Sequence, residues 1–461
     1  MPLPPLSRRS LLRAGGVGLA LAATTALTSC APPSDPKALK IAFFGDQSGA
    51  DELRARLEEP VRALDPTIRL EINATPGTDW NEFFAKLLTQ IAAGSRPDIV
   101  SVATEGVQLM AGRGLAAPLD EYVTRDLAEL QDYFDDVSPA LVEAMMYDGS
   151  LFLLPLDYNA GNMYYSPLLF EQAGLDLPAP DWTVDDFYDA GRALARIPDI
   201  NAYDWVVRLW GSWTSFLYAN DGNLLTEGRA PGGQWLWDTA YAGNPAAAGR
   251  GGGWAWGDPV ANSPAAVEAL ELMIELRKEG IAPSPDVGGG QTSQALFAAG
   301  RVGMSVGGGF WAGGLHNAGM APGSFDVQYF PRWKSQRHLF GTAGYSILET
   351  SDKKDLAWEV IKRLTFPDAF DVLFPGNVTT PARQSLSTAK RYETTGPEHW
   401  DVFSSTLTEF PETAPIPAPI YFNALSTALN QRTTEAIATG DARAALDGLQ
   451  IDLETAAGAV A

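Results

Sequence analysis

The sequence predicts an α/β fold, a largely parallel sheet flanked by helices, in a chain of two or more lobes. Strand-type runs alternate with helix-type runs through the first hundred mature residues, the pattern of a parallel sheet with crossover helices. The chain has 461 residues, 46% of them hydrophobic, enough for more than one core. It has one cysteine, Cys30, so no disulfide framework or cysteine metal site can substitute for those cores.

Taken in order, residues 39–44 read as a strand that ends in the loop 45–49. An amphipathic helix follows over 51–63, a strand over 68–72, a helix over 79–93 and a strand over 97–102. Ligands of such sheets sit beyond the carboxyl ends of the strands. Asp46, Gln47, Trp80 and Glu105 fall at or near those ends; for Asp46 and Glu105 helix capping is the competing reading. Residues 151–156 form an apolar run interrupted by Pro155, read as a short strand reaching a crossing between lobes. Asp157, Tyr158 and Asn159 then present a carboxylate, a phenol and an amide in succession. Ser166-Pro167 starts a helix that Gly174 ends, and Thr183 caps the next, with Asp186 at its third position.

The leader is distinct. Arg8, Arg9 and Arg13 precede an uncharged apolar stretch, 14–27, too short and too rich in Gly and Ala for a membrane span. Leu27-Thr28-Ser29-Cys30 has the form of a lipobox, with Cys30 the lipidated first mature residue, and Arg8-Arg9 resembles a twin-arginine export signal. Three prolines within 31–37 suit a tether. The formal charge is −23, and loss of the three leader arginines takes it to −26, which argues against nucleic acid or anionic membrane as a partner.

The run 151–187 carries a Pro-rich strand, a Tyr-Asn pair, LFEQAGL, a Pro-rich spacer and a Trp-Thr helix start, and resembles the family 1 extracellular solute-binding proteins of sugar uptake. Further matching segments are Trp210 and Trp213 before the turn at Asn220-Asp221-Gly222, the helix–strand–glycine–aromatic order through Gly309, Phe310 and Trp311, the strand holding Gly341 and Tyr345, the Pro-Ala-Arg segment ending at Arg383, and the closing helices from Tyr421 onward. The resemblance implies a two-lobed periplasmic-binding-protein-like fold (type II), its discontinuous lobes joined by a hinge. The implied division is a signal peptide over 1–29, a lipidated tether over 30–38, one lobe from 39–156 plus 331–375, and a second from 157–330 plus 376–461, with crossings near Pro155–Tyr158, Tyr329–Pro331 and Phe374–Val378. It also implies that the ligand-binding residues are Asp46, Gln47, Trp80, Glu105, Asp157, Tyr158, Asn159, Trp210, Trp213, Asn220, Asp221, Gly309, Phe310, Trp311, Gly341, Tyr345, Arg383 and Tyr421, with Trp311 the leading sugar-stacking ring. The expected role is an extracytoplasmic lipoprotein, a monomer, that captures a carbohydrate and passes it to the membrane subunits of an ABC importer. No cofactor, metal or catalytic group is expected.

Residues 228–258 depart from the family. This Gly-, Ala- and Trp-rich segment is read either as a lid at the cleft mouth or as a surface insertion. Thirteen Trp and fourteen Tyr leave room for both core filling and a carbohydrate cleft. An enzyme reading rests on Gly303-Met304-Ser305-Val306-Gly307, a G-x-S-x-G pattern, but it lies in a strand rather than at a strand-to-helix turn. His316, His338 and His399 are too scattered for metal-ligand spacing. A glycan-processing hydrolase, a polyol or glycerophosphodiester receptor, and a sensor or adhesin on the same fold are the alternatives.

Overall fold

The computed structural model describes residues 35–287, 290–374 and 379–460, so the leader and Cys30 lie outside the described residues. Strands Ala38–Phe44, Arg69–Thr75 and Ile99–Ala103 run parallel, with Ala38–Phe44 between the other two. Leu339–Ile347 joins antiparallel beside Ile99–Ala103, Asp157–Ala160 joins beside it, and Thr380–Pro381 closes that edge. The helix Gln47–Leu64 buries Leu53, Leu57 and Val61, a four-residue spacing that puts one stripe against the sheet. It starts four residues before the expected 51 because Asp46 caps it, its carboxylate accepting from the Gly49 N–H at 2.9 Å.

A second sheet has the order Asp326–Gln328, Asn162–Tyr165, Val302–Gly307, Asn201–Asp204. Its helices begin and end where local chemistry dictates. Pro167–Ala173 stops at Gly174, which takes φ +70°, and Val184–Leu194 opens with a reciprocal capping box between Thr183 and Asp186. Each sheet has its own aromatic-rich core, and the fold is two-lobed.

Strand Asp157–Ala160 belongs to the first sheet and Asn162–Tyr165 to the second, so the chain passes between lobes across Gly161, later than the expected Pro155–Tyr158. It returns between Gln328 and Leu339, a span that contains the expected Tyr329–Pro331. The third expected crossing, Phe374–Val378, falls mostly outside the described residues; Thr380–Pro381 still pairs with the first sheet. The predicted strand 151–156 shrinks to Ser150–Leu151. Beyond it the amides bond singly, Phe152 N–H to Met145 O and Leu156 N–H to Ala343 O, and Pro155 has no N–H to offer a ladder.

The 228–258 segment is the extended tip of a hairpin, Leu225–Arg229 against Trp254–Pro259. Its short helix Gln234–Trp237 and the turns after it place Leu236, Trp237, Ala240 and Tyr241 in the first lobe's core. Glu143, fully buried on the helix Pro139–Ala144, binds Arg229 at 2.8 Å and Arg250 at 2.7 Å, and accepts from the Gly251 N–H.

Candidate functional site

A cavity of about 460 Å3 opens at the carboxyl ends of the first sheet's parallel strands, between the two lobes. From the first lobe come Phe44 at a strand end, Thr78 to Asn81 at the start of the helix Trp80–Ala92, and Glu105 in the first turn of the helix Thr104–Ala111. The crossing strands bring Asp157, Asn159 and Gly341 to Ala343. From the second lobe come Arg208 to Trp210, Gln291 and Phe310, and from the closing segment Ile416, Phe422 and Ser426.

Of the residues named from sequence, Trp80, Glu105, Asp157, Asn159, Trp210, Phe310 and Gly341 line this cavity. The others are placed elsewhere, each for a local reason. Asp46 is the helix cap described above, and Gln47, beside it, is exposed and bonds Asp51. Tyr158 is 3% exposed in the first core: a strand sends alternate side chains to opposite faces, so Asp157 and Asn159 turn to the cavity and Tyr158 away from it. Trp213 is fully buried, its indole N–H on Thr433 Oγ1 at 2.9 Å. Asn220 donates to Ala265 O and Glu268, and Asp221 occupies a left-handed turn at φ +57°. Tyr345 packs in the first core, farther along its strand than Gly341. Arg383 is buried against Thr365 O, Asp132 and Asp136. Tyr421 packs in the second core, while its neighbour Phe422 lines the cavity.

Trp311 is the principal correction. Glycines 307 to 309 lead into the helix Gly309–Asn317 rather than delivering an extended strand to the cleft. Successive helical residues turn by about 100°. Phe310 therefore lines the cavity while Trp311, 1% exposed, packs against Tyr164 at 5.4 Å and Phe297 at 5.9 Å. Gly309 serves a close approach to Thr380: a Cβ there would collide with Thr380 Oγ1 and lie 3.0 Å from its backbone N. No described residue of the 228–258 segment lines the cavity.

Burial sets the electrostatics. It pushes the Glu105 carboxyl up to about 7, with the Asp79 and Asp157 charges adding to the rise. It raises Asp157 to about 6, against the hydrogen bonds from Ala343 N–H at 3.0 Å and Thr379 Oγ1 at 3.3 Å. Burial also lowers the Arg208 guanidinium to about 10, and that group lies over the Trp210 ring at 5.0 Å. Asn159 Oδ1 accepts from the Phe310 N–H at 3.4 Å and so ties a first-sheet strand to a second-lobe helix. Among the described residues no group of three His, Cys, Asp or Glu could hold a metal ion. Ser305, of the G-x-S-x-G pattern, is 2% exposed in mid-strand and donates to Asp204 O. Sequence reasoning missed Asp79, Asn81, Arg208 and Phe422; an arginine two positions before Trp210 in an otherwise apolar run was the one readable signal.

Residues 50–369 match the profile of the family described as bacterial extracellular solute-binding protein. A binding protein of Brucella abortus (strain 2308) is 30% identical over 128 residues, covering 27% of this chain and 28% of that protein. The mannitol-binding protein of Pseudomonas aeruginosa is 28% identical over 165 residues, 34% of each. The chain thus aligns with about a third or less of either relative's length. Among solved structures, an ABC substrate-binding protein of Listeria monocytogenes in complex with cycloalternan superposes with TM-score 0.72 at 20% identity, over 91% of this chain and 99% of that one. A solute-binding protein of Thermotoga lettingae bound with α-D-tagatose gives 0.71 at 20% identity, over 92% and 100%. These likenesses establish the two-lobed fold, and with a family match over more than half of its length the chain belongs to the bacterial extracellular solute-binding proteins.

Proposed function

We propose that this protein captures a carbohydrate outside the membrane and delivers it to the membrane subunits of an ABC importer without altering it. The observation that carries the reading is the interlobe cavity, which combines flat rings (Trp80, Trp210, Phe310) with carboxylates, amides and a guanidinium drawn from both lobes. Rings stack on apolar sugar faces while the polar groups bond hydroxyls. Trp80, Glu105, Asp157, Asn159, Trp210, Phe310 and Gly341 are the proposed contacts. The two lobes close about the segments that pass between them, at Gly161 and between Gln328 and Leu339. The protein acts as a monomer tethered by lipid on Cys30, after export by the leader. No described helix is long and apolar enough to cross a membrane. Three carboxylic acids in the cavity disfavour a glycerophosphodiester. Relatives and structural neighbours named for mannitol, maltotriose, cycloalternan and tagatose support a sugar or polyol. Calorimetric titration with a sugar panel, followed by mass analysis of the recovered ligand, tests the proposal. Saturable binding with the sugar recovered intact is expected; cleavage products would favour a hydrolase, and absence of binding across the panel would defeat carbohydrate capture.

A further inference from the structure

The cavity has an excess of acid. Asp79, Glu105 and Asp157 line it, and Arg208 is the one basic side chain among the described lining residues. The three acids differ in how far the protein already satisfies them. Asp79 caps its helix by accepting from the Glu82 N–H at 2.9 Å, and Asp157 accepts from Ala343 and Thr379. Glu105 has its own backbone N–H as its one donor among the described residues, and the Arg208 charge offsets its burial only in part. Two further polar atoms of the lining, Trp210 Nε1 and Asn81 Oδ1, are buried without a partner among the described residues; Trp210 is only 8% exposed. A donor and an acceptor are thus left for solute hydroxyls.

Closure over a neutral sugar would desolvate this acid excess with Arg208 the one cation among the described lining residues and hydroxyls the only added donors, and a carboxylate left without either would have to take up a proton or remain as an uncompensated buried charge. A divalent cation is a poor remedy, since no three acids are grouped tightly enough to hold one among the described residues. An organic cation can spread over the same space. Its ammonium meets a carboxylate in a cavity that Phe44 and Trp80 also line.

We infer that the preferred solute is a cationic carbohydrate, a sugar bearing a protonated amine, with its ammonium seated at Glu105 and its hydroxyls on Trp210 and Asn81. The inference rests on the carbohydrate reading above and narrows it.

Matched pairs test it: glucosamine against glucose, galactosamine against galactose, and the β1,4-linked glucosamine di- and trisaccharides against cellobiose and cellotriose. Each is titrated calorimetrically into the whole mature protein at about pH 6.5, where the amines are protonated. In the pair that fits the cavity, the amine-bearing member is expected to bind at least about tenfold more tightly, the advantage of a charge-assisted over a neutral hydrogen bond. In Glu105→Gln that preference should disappear, the two members of the pair binding with about equal affinity, and the apo melting temperature at that pH should not be lowered. Equal or weaker binding of the amine member in every binding pair would overturn the cationic inference and leave carbohydrate capture standing. A preference that survives in Glu105→Gln would overturn the seat at Glu105. Absence of binding for both members of all pairs would overturn carbohydrate capture itself, and this inference with it.

Discussion

Phe310 and Trp311 are adjacent in sequence and are expected to fail in opposite ways when truncated. Trp311 is 1% exposed in a core cluster with Tyr164, Phe297, Phe325 and Phe403, so Trp311→Ala leaves a core cavity. Such truncations cost about 3–5 kcal/mol of folding stability. At roughly 2.1 cal/mol/K of unfolding entropy per residue, a domain of this length loses about 3–6 °C of melting temperature for that cost. Phe310 is partly exposed, lines the cavity, and touches Trp210 with ring centroids 5.8 Å apart. Phe310→Ala should therefore remove a solute contact of roughly 1–3 kcal/mol, a 5–150-fold weaker dissociation constant, with a small change in melting. The assay is calorimetric titration of a bound sugar together with scanning calorimetry of each apo variant. If Trp311→Ala lost affinity while melting like the wild type, or Phe310→Ala melted early with affinity intact, the helical assignment of the two faces would be refuted.

Other expectations concern charge, the insertion and the anchor. Burial raises the folded-state values of Glu105 and Asp157 above their ordinary 4.5 and 3.8, so the unfolded chain releases these protons first as pH rises. Their contribution to apo stability accordingly declines between about pH 4 and about pH 7, and Glu105→Gln should flatten the melting-temperature profile across that window. A Gln variant with the wild-type slope would count against the burial of that carboxyl. Glu143→Ala removes the buried partner of Arg229 and Arg250 and should cost about 3–5 kcal/mol, read as early hydrogen exchange in residues 230–253; unchanged protection there would mean that the insertion docks without this clip. Replacing 230–253 by a short Gly-Ser bridge should lower stability more than it alters solute choice, because Leu236, Trp237 and Tyr241 belong to the first lobe's core. Cys30→Ala should release the protein from the membrane fraction, and full retention would refute lipid anchoring at that residue.

Local rules were legible without coordinates. The alternation of strands and helices, the Thr183–Asp186 capping box and the stop at Gly174 each depend on residues within a few positions of one another, and the structure has them where those residues stand. The resemblance in 151–187 pointed to the two-lobed fold and led to the strand that supplies Asp157 and Asn159. Which face each residue presents was a different matter. Tyr158 is separated from two cavity residues by the pleat of one strand, and Trp311 from Phe310 by one helical step, and composition carries no record of either phase. Nor could the sequence reveal that Arg208, Asp79 and Phe422, more than a hundred residues apart, meet in one cavity, or that the 228–258 tip reaches back to Glu143. Capping and periodicity are short-range energies written into neighbouring residues; the site and the clip are long-range contacts that exist only after the two lobes have packed.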